Sequence, residues 1–211
     1  MTSIKRRSFL MSGLAAAGMP GAARAEYRGY ETPRWKVLNA EGPFELRDYD
    51  PYLAAEVTIR AGPDKALRQG FQTLADYIFG GNDGGSKLAM TSPVTREPAK
   101  IAMTAPVTRE AVGDAWTVRF MMPRQYTANT LPKPDNSAIR IVTIEPGLRG
   151  VAGFSGFATE VRISDVERGL RRWIGAQALR VTGPAEAAWF DDPFTLPWRR
   201  RNEVSLPVSM S

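Results

Sequence analysis

The sequence predicts an α+β fold, a duplicated strand–helix unit closing into one sheet or barrel. Three observations carry that expectation. Short β-type runs outnumber helices by several to one, two helices carry apolar stripes with capping signals, and the two halves of the chain resemble each other.

The chain begins with Lys5-Arg6-Arg7-Ser8-Phe9-Leu10, a paired-arginine head, followed by a short apolar stretch from Leu10 to Ala17. Ala23-Arg24-Ala25 places small residues at both positions a signal peptidase reads. Residues 1–25 therefore read as a removable twin-arginine export signal, with a periplasmic destination. The twin-arginine route carries folded cargo, which fits a chain with no cysteine. The apolar stretch is too short to span a bilayer and no later segment reaches that length, so no stable membrane insertion is expected.

Lys5, Arg6, Arg7 and Arg24 account for four positive charges with no acidic partner in that segment, so the full-length charge of +6 falls to +2 for the remaining 186 residues. That removes the main support for a nucleic-acid partner. The absence of cysteine and histidine excludes disulfides, Cys/His zinc sites, Ser-His-Asp triads and cysteine nucleophiles.

Residues 26–35 read as irregular, with 26–32 a lead-in, 33–208 the domain and 209–211 a tail. Leu53, Ala55, Val57 and Ile59 alternate as in a half-buried strand, as do Trp116, Val118 and Phe120, Val161 with Ile163, and Val204 with Leu206. The continuously apolar run Ile139 to Ile144 predicts a central strand. One helix starts near Pro63, carries Leu67, Phe71, Leu74 and Ile78, and stops at Gly80-Gly81. A second opens at the capping-box pair Ser164 and Glu167 and buries Val166, Leu170, Trp173 and Ile174. Glu56 to Ile59 before the first helix matches Glu160 to Ile163 before the second, and this match carries the duplication.

A tighter repeat runs Lys87-Leu88-Ala89-Met90-Thr91-Ser92-Pro93-Val94-Thr95-Arg96-Glu97, and recurs 13 residues later as Lys100 to Glu110 with two of eleven positions changed. It predicts two short strands with Pro93 and Pro106 at strand ends or edges. Such a repeat, present twice, is too short for a solenoid.

The doubled Ala-Met-Thr-Ser/Ala-Pro-Val segment, downstream of Tyr77-Ile78-Phe79-Gly80-Gly81-Asn82, resembles the SOUL haem-binding protein family. Glu41 to Tyr52 resembles the family's opening strand, and Asp192-Pro193-Phe194-Thr195-Leu196-Pro197-Trp198 running into Arg200 to Val204 resembles its closing motif. The resemblance spans residues 33–208. It implies a distorted antiparallel β-barrel flanked by two helices and built from two similar halves. It also implies haem or a related tetrapyrrole as ligand, held in a shallow apolar groove, and the expected protein is a non-enzymatic monomer. By position, Arg68, Phe71, Leu74, Ala75 and Ile78 come from the first helix, and Phe194, Leu196, Pro197 and Trp198 from the loop before the closing strand. Phe71 and Trp198 suit a macrocycle face and Arg68 a propionate, while Phe71 and Leu74 equally fit a core stripe. With no histidine, axial ligation falls to Met90, Met103 or Tyr77, and the two methionines equally suit core filling.

Two other readings stand beside this one. The duplicated fold also resembles small-molecule sensor domains that accept hydrophobic or cationic compounds, which Asp76 would favour. A hydrolase would need a groove carboxylate, for which Asp76 and Glu203 are the candidates.

Overall fold

A computed structural model of the protein describes residues 24–98 and 115–211. The element order is β1 (Arg24–Tyr27), β2 (Tyr30–Glu41), β3 (Phe44–Tyr49), β4 (Tyr52–Arg60), α1 (Pro63–Ile78), β5 (Val94–Pro98), β6 (Ala115–Met121), β7 (Arg140–Ile144), β8 (Gly147–Phe154), α2 (Glu160–Ala176), β9 (Leu179–Val181), β10 (Glu186–Trp189) and β11 (Asn202–Met210), with a 3₁₀ turn over Pro197–Arg199. The expected signal up to residue 23, the second copy of the short repeat, Pro106 and Met103 lie outside the described residues.

The strands form one antiparallel sheet in the order β1-β2-β3-β8-β11-β10-β5-β6-β4-β7, with β9 on β11. It curls into a half-barrel carrying the two helices, so the fold is α+β, and the distortion of the expected barrel is that it is open. Its design is twofold. From the central β5–β10 pair one arm runs β6, β4, β7 and the other β11, β8, β3. Helix α1 packs on β4 and β6, and α2 on β8, β9 and β11. Leu74, Tyr77 and Ile78 of α1 are buried at the same mutual spacing as Leu170, Trp173 and Ile174 of α2, each set at the centre of its own apolar core.

The duplication is therefore present, but in a different register from the one the sequence offers. The counterpart of β4 is β8. Residues Glu160 to Ile163, expected as a strand, are the first turn of α2. The N-cap is Thr159, whose hydroxyl accepts from the Arg162 amide at 3.2 Å, rather than Ser164. Glu167, freed from any capping role, pairs with Arg171 one turn on. Four residues of alternation cannot separate a strand from a helical turn, and an exposed Val161 supplied the false apolar position.

Three other expectations change. Residues 26–32 belong to a β1–β2 hairpin, whose turn places Arg28 at φ 50° and Gly29 at φ 82°. That is the doubly left-handed geometry whose twist matches the flanking strands. The expected tail pairs with β9 through Ser209 and Met210. The apolar run Ile139 to Ile144 yields β7 at the end of the sheet instead of its centre. It is apolar on both faces because Ile139 and Ile141 join the α1 core while Ile144 lines the interior of the curl. Pro93 does stand immediately before β5, as expected.

Close approach fixes both helices. A Cβ on Gly70 of α1 would lie 2.6 Å from Val118 Cβ, and one on Gly150 of β8 would lie 2.7 Å from Ile174 Cδ1 of α2. Glycine is needed at these positions for space.

Candidate functional site

On α1 the sequence-predicted residues divide. Arg68 is exposed and has no partner among the described residues, Phe71 is partly exposed with its ring edge-on to Phe120 at 5.3 Å, and Ala75 is half-buried. Leu74 and Ile78 are core residues, so neither lines a surface groove. The reason is a shift of the helix's buried face, which runs through Ala66, Gly70, Leu74, Tyr77 and Ile78 and turns Phe71 outward. Tyr77 is likewise sealed. Its hydroxyl donates to the Pro132 carbonyl at 2.8 Å, and burial, with Tyr126 adding to it, pushes the phenol up to about 12. That phenol is unavailable to iron. Met90 is exposed rather than core filler.

The loop between β10 and β11 is rigidly tethered yet turns its apolar side chains outward. Asp191 accepts from the Arg201 amide at 2.7 Å and pairs with Arg28 at 2.7 Å. Asp192 accepts from the Phe194 and Thr195 amides at 2.7 and 2.9 Å, and these backbone donors, Phe194 first, hold its carboxyl below the usual range. Arg200 donates to the carbonyls of Thr195 and Pro193 and stacks over Phe157, while the Gly156 amide donates to Pro197. On this frame Phe194 is 93% exposed, Trp198 71% and Leu196 48%, beside an exposed Phe157.

Helix α1 and this loop flank the centre of the helix-bearing face without contacting each other through any described side-chain pair. Register puts Phe120, Val94 and Trp189 side by side between them. The centre of that floor is Arg96, which sequence reasoning missed. It is 2% exposed, pairs with Glu160 at 2.7 Å and lies over Trp116 and Trp189 at 4.5 and 5.3 Å. Its signal was the Thr-Arg-Glu that ends each copy of the short repeat.

The opposite face, inside the curl, is a lattice of arginines and glutamates. Arg47 binds Glu203 through both terminal nitrogens at 2.8 and 3.0 Å, and Arg201 reaches the same carboxylate at 2.6 Å. Burial alone would raise the Glu203 carboxyl, but the two guanidiniums more than reverse this and hold it below its ordinary value. Arg119 bridges Glu56 and Glu97 at 2.7 and 2.6 Å, and Arg140 reaches Glu56. Trp35, Tyr49, Tyr52 and Phe190 surround a cavity of about 140 Å³ beside Arg149 and Glu186. Glu203, one of the two hydrolase candidates, is thus locked as an ion-paired carboxylate, and Asp76 is exposed on α1. Among the described residues no group of three or more carboxylate, histidine or cysteine side chains is placed to hold a metal, and no helix is long and apolar enough to cross a membrane.

The fold and these two surfaces define an α+β half-barrel with an exposed apolar loop. The SOUL heme-binding protein model matches residues 30–207, and the chain belongs to that family. Heme-binding protein 1 of Mus musculus is 27% identical over 83% of this chain and 92% of its own length. Heme-binding protein 2 of Homo sapiens is 38% identical over 82 residues, which span 36% of this chain and 40% of that relative. Among solved structures, the C-terminal domain of EcmrR superposes with a TM-score of 0.58 at 11% identity, covering 80% of this chain and 98% of that one. A structure titled as a hydrolase from Listeria innocua gives 0.54 at 17% identity, covering 82% and 94%. At such identities these two likenesses concern the fold alone.

Proposed function

We propose that this chain is a non-enzymatic, periplasmic carrier of haem or a related tetrapyrrole, held against the helix-bearing face by the β10–β11 loop and the outer edge of α1. The observation that carries the reading is the loop itself, since tethered backbone with outward Phe194, Leu196 and Trp198 is apolar surface that folding leaves uncovered. Membership of a family named for haem binding supports the ligand class. The donor set fits the macrocycle better than its iron. Trp198, Leu196 and Phe71 suit the apolar faces and Arg68 or Arg199 the carboxylates. No histidine is available to the metal. Haem, when bound, would supply its own redox chemistry, and the protein's part is to shield and orient it.

Titrating residues 26–211 with haem and following the Soret band tests this. A saturable shift is expected, weakened about tenfold, or roughly 1.4 kcal/mol, by Trp198→Ala. Because Trp198 is exposed, the variant should keep wild-type stability to within about 0.5 kcal/mol. Absence of saturation, or an unchanged Trp198→Ala affinity, would sink the site assignment. Export is tested separately by fractionating cells that express the chain with Arg6 and Arg7 replaced by lysine, which should retain the protein in the cytoplasm.

A further inference from the structure

The cavity inside the curl lies on the opposite side of the sheet from the loop and α1. We infer that it is a second ligand site, for a small, neutral, planar heterocycle that presents the C=O and N–H of an amide edge. Four observations carry this.

Two donors there lack acceptors. Trp35 is 2% exposed and its Nε1 is buried with no partner, as is Nε of Arg149. Buried donors without acceptors are costly, so a lining that leaves two of them suits a ligand oxygen. Beside them, Glu186 is held loosely. Its carboxylate lies 3.4 Å from Arg119 and 3.6 Å from Arg149, longer than well-formed charge-assisted bonds. It retains capacity to accept from an N–H. A donor and an acceptor standing side by side are the complement of an amide edge.

Charge selects against ions. The interior lattice sets Arg47, Arg119, Arg140, Arg149 and Arg201 against Glu45, Glu56, Glu97, Glu186 and Glu203. Within that lattice the signs balance, and Glu145, the further lining carboxylate, is exposed at the cavity's edge where water screens it, so a charged ligand would be desolvated for little return. Shape selects a single ring. About 140 Å³ between Tyr49, Tyr52 and Phe190 is close to the roughly 150 Å³ of a cavity that holds benzene.

The test uses the ¹⁵N-labelled protein with 2-pyridone as probe, reading the Trp35 indole N–H resonance, assigned by Trp35→Phe. A saturable shift is expected, with N-methyl-2-pyridone at least tenfold weaker because it cannot donate to Glu186. Arg149→Met should weaken the probe by a similar factor, and Trp198→Ala should leave it unchanged. If Arg149→Met fails to fold, the two probes compared on the unaltered protein decide the matter. No shift at Trp35, equal binding of the N-methyl compound, or tighter binding of benzoate or benzylammonium would each overturn the proposal. Failure here leaves the haem reading standing, since Trp198 and Trp35 report different faces.

Discussion

Glu203 is buried together with Arg47, which grips it through two nitrogens, and Arg201 adds two further contacts. Removing one member of such a set leaves a charge in a poor solvent, whereas removing opposite members together can be nearly neutral. Glu203→Leu is therefore expected to cost about 3–5 kcal/mol of unfolding free energy. The double variant with Arg47→Met should recover a large part of that, as read from paired denaturant curves. Equal losses in single and double variants would mean that the pair contributes through packing alone. The sequence singled Glu203 out but not its role, because Arg47 lies 156 positions away and no local pattern couples them. Arg68, Phe71, Leu196 and Trp198, singled out from short motifs, needed no distant partner to be noticed, and the fold leaves all four exposed.

At the level of elements, both helices were foreseen, α1 misread on one face and α2 at its start, while the buried stripe expected for α2 holds. In α1 the run Leu67, Phe71, Leu74, Ile78 has helical spacing, yet the true contact face includes Gly70, which no hydrophobicity pattern registers. Replacing glycine by alanine inside a helix normally stabilises it by about 1 kcal/mol. Here the new methyl would meet the stiff, branched Val118 at 2.6 Å, so Gly70→Ala is expected to destabilise by about 1–3 kcal/mol. A raised melting temperature would show that α1 can ride outward freely. The start of α2 gives a paired comparison. Thr159→Ala removes the cap and should cost about 1 kcal/mol, while Ser164→Ala should fall within about 0.5 kcal/mol of wild type. The reverse order would restore the capping box that the sequence offers.

For the molecule as a whole, the twofold sheet was legible as a duplication but not as a register. The halves match in buried positions and strand pairing, and only weakly in residue type, as Tyr77 against Trp173 illustrates. The half-barrel's interior charges were illegible, since arginines and glutamates at alternate strand positions read as a solvated face until the sheet curls over them. They make the pH response a property of the whole fold. Glu203 has its folded value depressed, so its contribution is present above the ordinary carboxylate value of about 4.3 and is lost as pH falls through the folded value. Tyr77 has its value raised to about 12, so its contribution is present below about 10 and is lost as pH rises towards 12. Between these limits the chain has neither histidine nor cysteine to titrate. Melting temperature measured against pH at constant ionic strength should form a plateau from about pH 5 to 9, with a fall on either side. Glu203→Gln should flatten the acid fall, because its amide cannot be protonated there, and Tyr77→Phe the alkaline one. A slope between pH 5 and 9 would place an unrecognised carboxyl or amine in the folded structure with a strongly displaced value.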